Sequence, residues 1–233
     1  MKTTFLFGID FAIDKKQAMI KHILFDADQT LYPASSCMEE EMIRRINAFV
    51  AEYLGVTIHE AASFRATRDK KYNSTLEWLR EAKGFSDPES FFSAIHPVDL
   101  ENYFPKNPDL IRLLSKILIP CSIFSNSWQK HVKNILKYLE ISHFFTNIFD
   151  IIFNNYLEKP HAKAFSNVLS ALDLKPNEVL FIDDIKKSTD TFFSLGGNVI
   201  LVDESDKYGK TEYEKVYYIE EIEPILTEMR LIT

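Results

Sequence analysis

The sequence has little of what marks secreted, membrane-spanning or nucleic-acid-binding proteins. Only two cysteines, Cys37 and Cys121, occur in 233 residues, and so few thiols in a chain of this length are typical of reduced, intracellular proteins. No apolar run approaches the ~20 residues that a membrane-spanning helix requires. These absences favour a cytoplasmic protein that has no membrane partner.

Positive charge is also scarce. The chain carries 27 Lys and Arg residues against 34 Asp and Glu residues, which gives a formal net charge of -7. Non-specific nucleic-acid binding depends on clustered basic residues, and the sequence contains no basic stripe. The six histidines are scattered without the spacing of a metal site. We therefore expect a small-molecule ligand and no nucleic-acid partner, and the oligomeric state stays open.

Apolar segments alternate with helical patterns along most of the chain. Continuous apolar runs end at Phe25, Phe124, Phe153, Ile182 and Val202. Runs that are apolar throughout and separated by helices are typical of a parallel sheet covered on both faces. The pattern predicts a doubly wound, Rossmann-like α/β core, in which ligand sites lie at the carboxyl ends of the strands.

The region between the first two apolar runs lacks convincing strands. Apolar residues recur at helical spacing from Met38 to Tyr53, and further helical patterns follow. We predict a small helical cap, residues 34–104, inserted into an α/β core that is formed by residues 19–33 and 105–233.

Residues 1–18 do not fit this organisation. They contain a short apolar segment, but Asp10 interrupts it, and a signal peptide needs an uninterrupted apolar core before a small-residue cleavage site. The first strand begins naturally just after Met19. We therefore expect residues 1–18 to form an N-terminal extension outside the catalytic core.

The first apolar run leads directly into Asp26-x-Asp28-x-Thr30. The two carboxylates lie on the same side of an extended backbone, where one can act as a nucleophile or metal ligand while the other transfers protons. Taken alone, an Asp-x-Asp pair more often marks a solvated turn, so its interpretation depends on the rest of the chain.

Three later segments follow apolar runs or lie in nearby loops. Ser125 and Asn126 come after the second run, where a strand that opens into a helix offers hydroxyls and free backbone N–H groups to a phosphate. Lys159 offers a compact positive charge. Asp183 and Asp184 end the fourth run, and such carboxylates suit Mg²⁺ because they repel each other without a cation. In isolation, a helix cap is the favoured interpretation of the first segment, and a surface position is the favoured interpretation of the lysine.

In this order, the four segments resemble the four motifs of the haloacid dehalogenase-like hydrolase superfamily, over residues 19–203. The dehalogenases proper lack the second aspartate, which phosphatases and phosphomutases have. Asp28 therefore implies phosphoryl transfer and not carbon–halogen cleavage. A finer resemblance, to the pyrimidine 5′-nucleotidase branch, rests on residues 28–33, 124–127, 159–165 and 181–184.

The resemblance implies a two-step reaction at the first motif. Asp26 would attack phosphorus and form an aspartyl-phosphate, while Asp28 would protonate the leaving oxygen and then deprotonate the attacking water. The expected activity is Mg²⁺-dependent hydrolysis of a small phosphomonoester, with a pyrimidine nucleoside monophosphate as one candidate substrate. A helical cap at this place in the chain is typical of one subclass of the superfamily.

The resemblance also implies how ligands are held. Mg²⁺ would be bound by a carboxylate oxygen of Asp26, the backbone carbonyl of Asp28 and the side chain of Asp184, with Asp183 helping directly or through water. Three residues would hold the remaining phosphoryl oxygens: Ser125, Asn126 through its backbone N–H, and Lys159.

The fourth motif departs from the usual pattern of the superfamily. Relatives usually have a small polar residue after the two acids and Asn or Asp three positions further on, whereas this chain has Ile185 and Ser188 there. Because neighbouring groups tune metal ligands, metal affinity and the orientation of Asp184 depend on what replaces them. Asp190 is one candidate for this role.

Two alternatives stay open. A sugar phosphomutase uses the same chemistry but returns the phosphoryl group to its substrate, so it must exclude water more strictly. A catalytically silent binding protein on the same fold is the second alternative, because a fold alone does not determine function.

Overall fold

The computed structural model of the protein describes residues 19–72 and 74–233. The predicted extension, residues 1–18, lies outside the described residues. Both cysteines are free, Cys37 on the surface and Cys121 in the interior. Within the two described stretches, no helix is both long and apolar enough to cross a membrane.

Six parallel strands form one sheet in the described part of the chain. They are β1 His22–Phe25, β2 Cys121–Phe124, β3 Phe145–Phe149, β4 Val179–Asp183, β5 Asn198–Val202 and β6 Glu214–Val216. Their spatial order is β3-β2-β1-β4-β5-β6, and every neighbouring pair runs parallel. The chain thus builds β2 and β3 on one side of β1 and then returns to its other side. This is the predicted doubly wound α/β core.

Helices cover both faces of this sheet and fill the connection between β1 and β2. They are α1 Met38–Leu54, α2 Ile58–Thr67, α3 Thr75–Lys83, α4 Pro88–Ile95, α5 Pro108–Ser115, α6 Gln129–Tyr138, α7 Ala162–Leu172, α8 Lys186–Ser194 and α9 Ile222–Glu228. Ile23 and Phe25 pack with α5, α6 and α9, whereas Leu24 packs with α7 and α8 on the opposite face. Because successive residues of β1 face opposite buried layers, the run is apolar at every position.

Two of the helices begin with the same local signal. Pro108 opens α5 and Pro88 opens α4, and the preceding Asn107 and Asp87 each accept the backbone N–H three residues later. Proline is tolerated in the first turn, where its missing N–H leaves no hydrogen bond unmade. An Asn or Asp followed by Pro thus marks the start of both helices.

The helices α1 to α4 pack around a hydrophobic cluster that is largely their own. Val50 and Leu79 are completely buried there. The ring of Phe49 meets Phe85 and Phe91 edge to face, with centroids 5.4 and 5.2 Å away. The described residues of 34–104 thus form helices and no strand, and the boundaries of the predicted cap at residues 34 and 104 stay a prediction.

The third strand is shorter than its apolar run suggests, and the prediction that it ends at Phe153 is wrong. The strand β3 ends at Phe149, because the Asp150 carboxylate turns the chain by accepting the N–H groups of Gln129 and Phe153 at 3.0 and 2.9 Å. Ile151 then packs into the cluster of helices α1 to α4. The sequence also does not predict β6, which has only three residues.

Candidate active site

The predicted site segments meet where the strand order reverses. Asp26 follows β1, Ser125 follows β2, and Asp183 is the last residue of β4. The strands β1 and β4 are direct neighbours, although more than 150 residues separate them in the chain. Parallel strands that start different halves of a doubly wound sheet leave a crevice at their carboxyl ends, and these side chains line it.

Lys159 occupies the centre of the crevice and is 6% exposed. Its ammonium donates to Asp26 Oδ1 at 2.8 Å, to Asp183 Oδ2 at 2.6 Å and to the carbonyl of Phe124 at 2.8 Å. All three ammonium donors are thus engaged. Burial lowers the pKa of Lys159, but the two carboxylates outweigh it and raise the pKa above its usual value. The lysine is therefore a permanent positive charge.

Three buried carboxylates, which we call the acid cluster, face one another beside this lysine: Asp26, Asp183 and Asp184. One oxygen of each lies within 4.8 Å of the others. Burial, followed by the charge of Asp183, raises the pKa of Asp184 to about 9. Burial also raises the pKa of Asp26 to about 7, against the opposing effect of Lys159. One lysine does not neutralise three acids, and this set of oxygen donors fits a hard divalent cation such as Mg²⁺.

Asp28 has a different environment. Its carboxylate accepts hydrogen bonds from Tyr32 Oη at 2.8 Å and from Ser127 Oγ at 2.5 Å, and His131 Nε2 lies 2.9 Å from its Oδ1. We call these three side chains the donor set. Burial by itself raises the pKa of Asp28, but the charge and hydrogen bond of His131 and the two hydroxyls hold it well below the usual range.

Ser125 and Asn126 shape the wall beside Lys159. Ser125 Oγ accepts the N–H of Ser127 at 3.0 Å. The Asn126 side chain donates to the Lys159 carbonyl at 2.9 Å and accepts the Lys159 N–H at 2.8 Å. The amide of Asn126 therefore holds the backbone of Lys159, and phosphate binding by the backbone N–H of Asn126 stays a prediction.

Two adjoining cavities open at the site. The first, of about 230 Å³, is lined by the acid cluster, Asp28, Ser125 and Lys159 together with Glu39 and Met42 of α1. The second, of about 190 Å³, shares Met42, Asn126 and Ser127 with the first. Its wall is mostly apolar: Ile46, Leu76, Phe91, Phe92, Ile95 and Ile151, with Ser74, Thr75, His96 and Glu158 as the polar members.

The structure shows what surrounds Ile185 and Ser188, the two positions that depart from the usual fourth motif. Ile185 donates its N–H to Asp183 Oδ1 at 2.7 Å, and the buried Ser188 lines the first cavity. Asp190 is bound by Lys186 and Tyr213 at the surface. Asp190 therefore does not replace the missing polar group, and Ser188 is the polar residue that reaches the cavity.

Sequence reasoning assigns no role to Tyr32 or His131. Tyr32 lies within the first motif segment, and its position four residues after Asp28 was the available signal. His131 lies on the buried stripe of α6 beside Val132 and Ile135. A histidine on an apolar stripe requires a polar partner, but the partner is 103 residues away and only the fold identifies it.

Comparison with known proteins places the chain in a broad group of enzymes. A family model described as haloacid dehalogenase-like hydrolase matches residues 20–186. The glyceraldehyde 3-phosphate phosphatase of Methanopyrus kandleri is 28% identical, over 71% of this chain and 76% of its own. The enzyme of the same name from Pyrococcus furiosus is 26% identical, over 90% of each chain. A phosphatase structure from Thermococcus onnurineus aligns with a TM-score of 0.63 at 16% identity, over 89% of this chain and 98% of that one, which shows a shared fold.

Proposed function

The chain belongs to the haloacid dehalogenase-like hydrolases, and we propose that it is a Mg²⁺-dependent phosphatase of a small phosphomonoester. The observation that carries the proposal is the acid cluster, which meets Lys159 at the mouth of a cavity while Asp28 lies next to it. The two relatives named as phosphatases of a three-carbon monoester support this activity.

The reaction follows from the different surroundings of two aspartates. Asp26 attacks phosphorus, the ester P–O bond breaks, and an aspartyl-phosphate forms as the leaving oxygen takes a proton from Asp28. Water then attacks the phosphoryl group, Asp28 accepts its proton, and inorganic phosphate leaves as the Asp26 carboxylate is restored. Proton transfer of this kind contributes about 10²–10⁴-fold to the rate.

Asp28 must gain a proton before the first step. The donor set favours the ionised form of Asp28 because it holds the pKa well below the usual range, and this is the form that accepts a proton in the second step. A phosphomonoester brings negative charge within a few ångströms of this carboxylate, and a neighbouring anion raises a carboxyl pKa.

The residues that would hold Mg²⁺ are the carboxylates of Asp26 and Asp184 and the backbone carbonyl of Asp28. Asp183 fits an indirect role, because its two oxygens already accept Lys159 Nζ and the N–H of Ile185. When bound, the cation neutralises repulsion between the carboxylates and the phosphoryl oxygens. Lys159, Ser125 and the Asn126 N–H would complete the binding of those oxygens.

The second cavity suits an uncharged leaving group. Among the described residues that line the two cavities, Lys159 alone is a lysine or arginine, and its charge would serve the transferred phosphoryl group. Burial lowers the pKa of His96 to about 3, so its ring is neutral. A second anionic group on the substrate would therefore lack a partner beside Glu158. Glyceraldehyde 3-phosphate and a pyrimidine nucleoside monophosphate both meet this condition, and the free thiols favour a cytoplasmic setting.

The test is phosphate release from a panel of esters with Mg²⁺ or with EDTA. Glyceraldehyde 3-phosphate, glycerol 3-phosphate, UMP, p-nitrophenyl phosphate and 3-phosphoglycerate form the panel. We expect turnover with Mg²⁺ that is abolished in Asp26→Asn and kept in the surface control Asp190→Asn. Isomerisation of a sugar phosphate without phosphate release would indicate a mutase, and no turnover of any ester would refute the proposal.

A further inference from the structure

We propose that His131 is a positioning residue for Asp28 and that His96, at the end of α4, holds His131 in place. The proposal rests on the proposed acid–base role of Asp28. It goes beyond that role because it gives the helical region between β1 and β2 a direct physical connection to the proton-transfer group.

The hydrogen-bond pattern of His131 indicates what the residue is for. Its side chain is fully buried, and Nε2 lies 2.9 Å from Asp28 Oδ1. The other ring nitrogen, Nδ1, is buried without a hydrogen-bond partner in the described part of the chain. If packing alone determined this position, we would expect an apolar residue, or a histidine with hydrogen-bond partners for both ring nitrogens. The contact with Asp28 is therefore the polar interaction that accounts for an imidazole here.

This contact decides which oxygen of Asp28 exchanges a proton. Oδ1 lies within hydrogen-bond distance of His131 and Tyr32, whereas Oδ2 accepts from the hydroxyl of Ser127. A hydroxyl can turn and accept a hydrogen bond instead of donating one. Oδ2 can thus carry the proton while Oδ1 stays fixed, and Ser127 lies where the two cavities meet.

His131 is itself held by an aromatic stack that comes from the helical region. The His96 ring lies 4.1 Å from the His131 ring at an interplanar angle of 12°. Phe92 of α4 stacks on His96 with ring centroids 5.9 Å apart. Trp128 in turn stacks on Phe92, also with centroids 5.9 Å apart. Because the His131 ring has one polar anchor, this stack sets its remaining orientation.

The decisive experiment compares two leaving groups in His131→Phe. Phenylalanine keeps the ring and the stack but cannot donate to Asp28. The value of kcat/KM includes every step up to departure of the leaving group, and p-nitrophenolate leaves without a proton, whereas an alkoxide needs one. The alkyl ester is whichever of glyceraldehyde 3-phosphate, glycerol 3-phosphate or UMP the wild type hydrolyses fastest. We expect kcat/KM to fall about 10²-fold for the alkyl ester and less than about fivefold for p-nitrophenyl phosphate.

Further variants keep the test decisive if His131→Phe does not fold. His131→Gln retains an N–H donor and should recover part of the alkyl activity. His96→Phe preserves the stack and should behave like wild type, whereas His96→Ala should lower the alkyl-to-aryl ratio of kcat/KM by about tenfold. Equal losses for both esters, or an unchanged ratio in the folded variants, would overturn the proposal. Absence of any turnover in the wild type would instead count against the phosphatase itself.

Discussion

Asp26 and Asp28 lie two residues apart in one loop, but their surroundings act on them in opposite directions. Asp26 belongs to the acid cluster, where burial and neighbouring acids raise its pKa to about 7. Asp28 lies in the donor set, where His131 and two hydroxyls overcome burial and hold its pKa far lower. The acid cluster has more negative charge than Lys159 neutralises, whereas the donor set completes a single carboxylate. Carboxylates whose environments separate their pKa values are suited to different chemical roles.

The largest effect is expected from removal of Lys159, the cation that lies beside the acid cluster. Lys159→Met leaves Asp26 and Asp183 buried without their partner. Breaking a buried ion pair from one side costs about 3–5 kcal/mol. We expect a loss of this size in the free energy of unfolding, measured by urea titration in EDTA. Lys163→Met, an exposed lysine four residues further on, should change it by less than about 0.5 kcal/mol.

Neutralising one carboxylate in each environment should have effects of opposite sign. Because the pKa of Asp184 is raised to about 9, folding at pH 8 requires this carboxyl to take up a proton. Asp184→Asn removes that requirement and should stabilise the metal-free protein at pH 8 by about 1 kcal/mol or more, given that one pKa unit corresponds to about 1.4 kcal/mol. Asp28→Asn leaves part of the donor set without an acceptor and should destabilise it by about 1–3 kcal/mol. Thermal unfolding in EDTA measures both changes in stability. Changes of the same sign in the two variants would contradict the conclusion that the two environments act on their carboxylates in opposite directions.

The acid cluster should also couple Mg²⁺ binding to pH. The raised pKa values, about 7 for Asp26 and about 9 for Asp184, mean that both hold protons which Mg²⁺ must displace. Affinity should therefore rise with pH, about tenfold per unit for each displaced proton. Titration calorimetry in two buffers of different ionisation enthalpy counts these protons, and Asp184→Asn should release fewer.

The same groups give a stability effect of defined sign. Their folded pKa values lie above the ordinary value of 3.8, so the stability they contribute is fully present below about pH 4. It is lost as pH rises through about 7 and then about 9. Mg²⁺ should consequently raise the Tm more at pH 8 than at pH 6. A larger increase at the lower pH would show that the acids are not the ligands.

The smallest expected effect concerns one member of the donor set. Tyr32→Phe removes one of two donors to Asp28 Oδ1 and leaves His131 in place. A single hydrogen bond to a charged group contributes about 1.5–3 kcal/mol at most, and the remaining donor retains the orientation. We expect a loss of a few-fold in kcat/KM for the alkyl ester, well below that of His131→Phe. A greater loss in Tyr32→Phe would assign the positioning role to the tyrosine.

Sequence could predict the acid cluster because its geometry follows from topology. Buried parallel strands are apolar throughout, their carboxyl ends share one edge, and acids at those ends must therefore meet. Asp26, Asp183 and Asp184 required no knowledge of side-chain packing. The motif segments also include Lys159, which the structure places beside these acids, but they did not show that three acceptors hold its ammonium.

The donor set could not be predicted in the same way. His131 of α6 meets Asp28 in the loop after β1, and His96 at the end of α4 meets His131, and contacts of this kind between separate elements leave no fixed spacing in the sequence. Short elements were missed for a related reason: β6 has three residues, and the end of β3 is set by the Asp150 side chain and not by hydrophobicity. Local contacts of single side chains decided these cases.

The Asn126 side chain binds both the N–H and the carbonyl of Lys159, and this has a consequence for ligand recognition. Together with three acceptors for the ammonium, it immobilises the longest flexible side chain of the site before any ester arrives. Freezing a free lysine costs up to about 2 kcal/mol of rotational entropy. This entropy is already lost when the protein folds. An incoming phosphoryl group therefore meets a rigid cation, and its affinity is not lowered by the ordering of the lysine side chain.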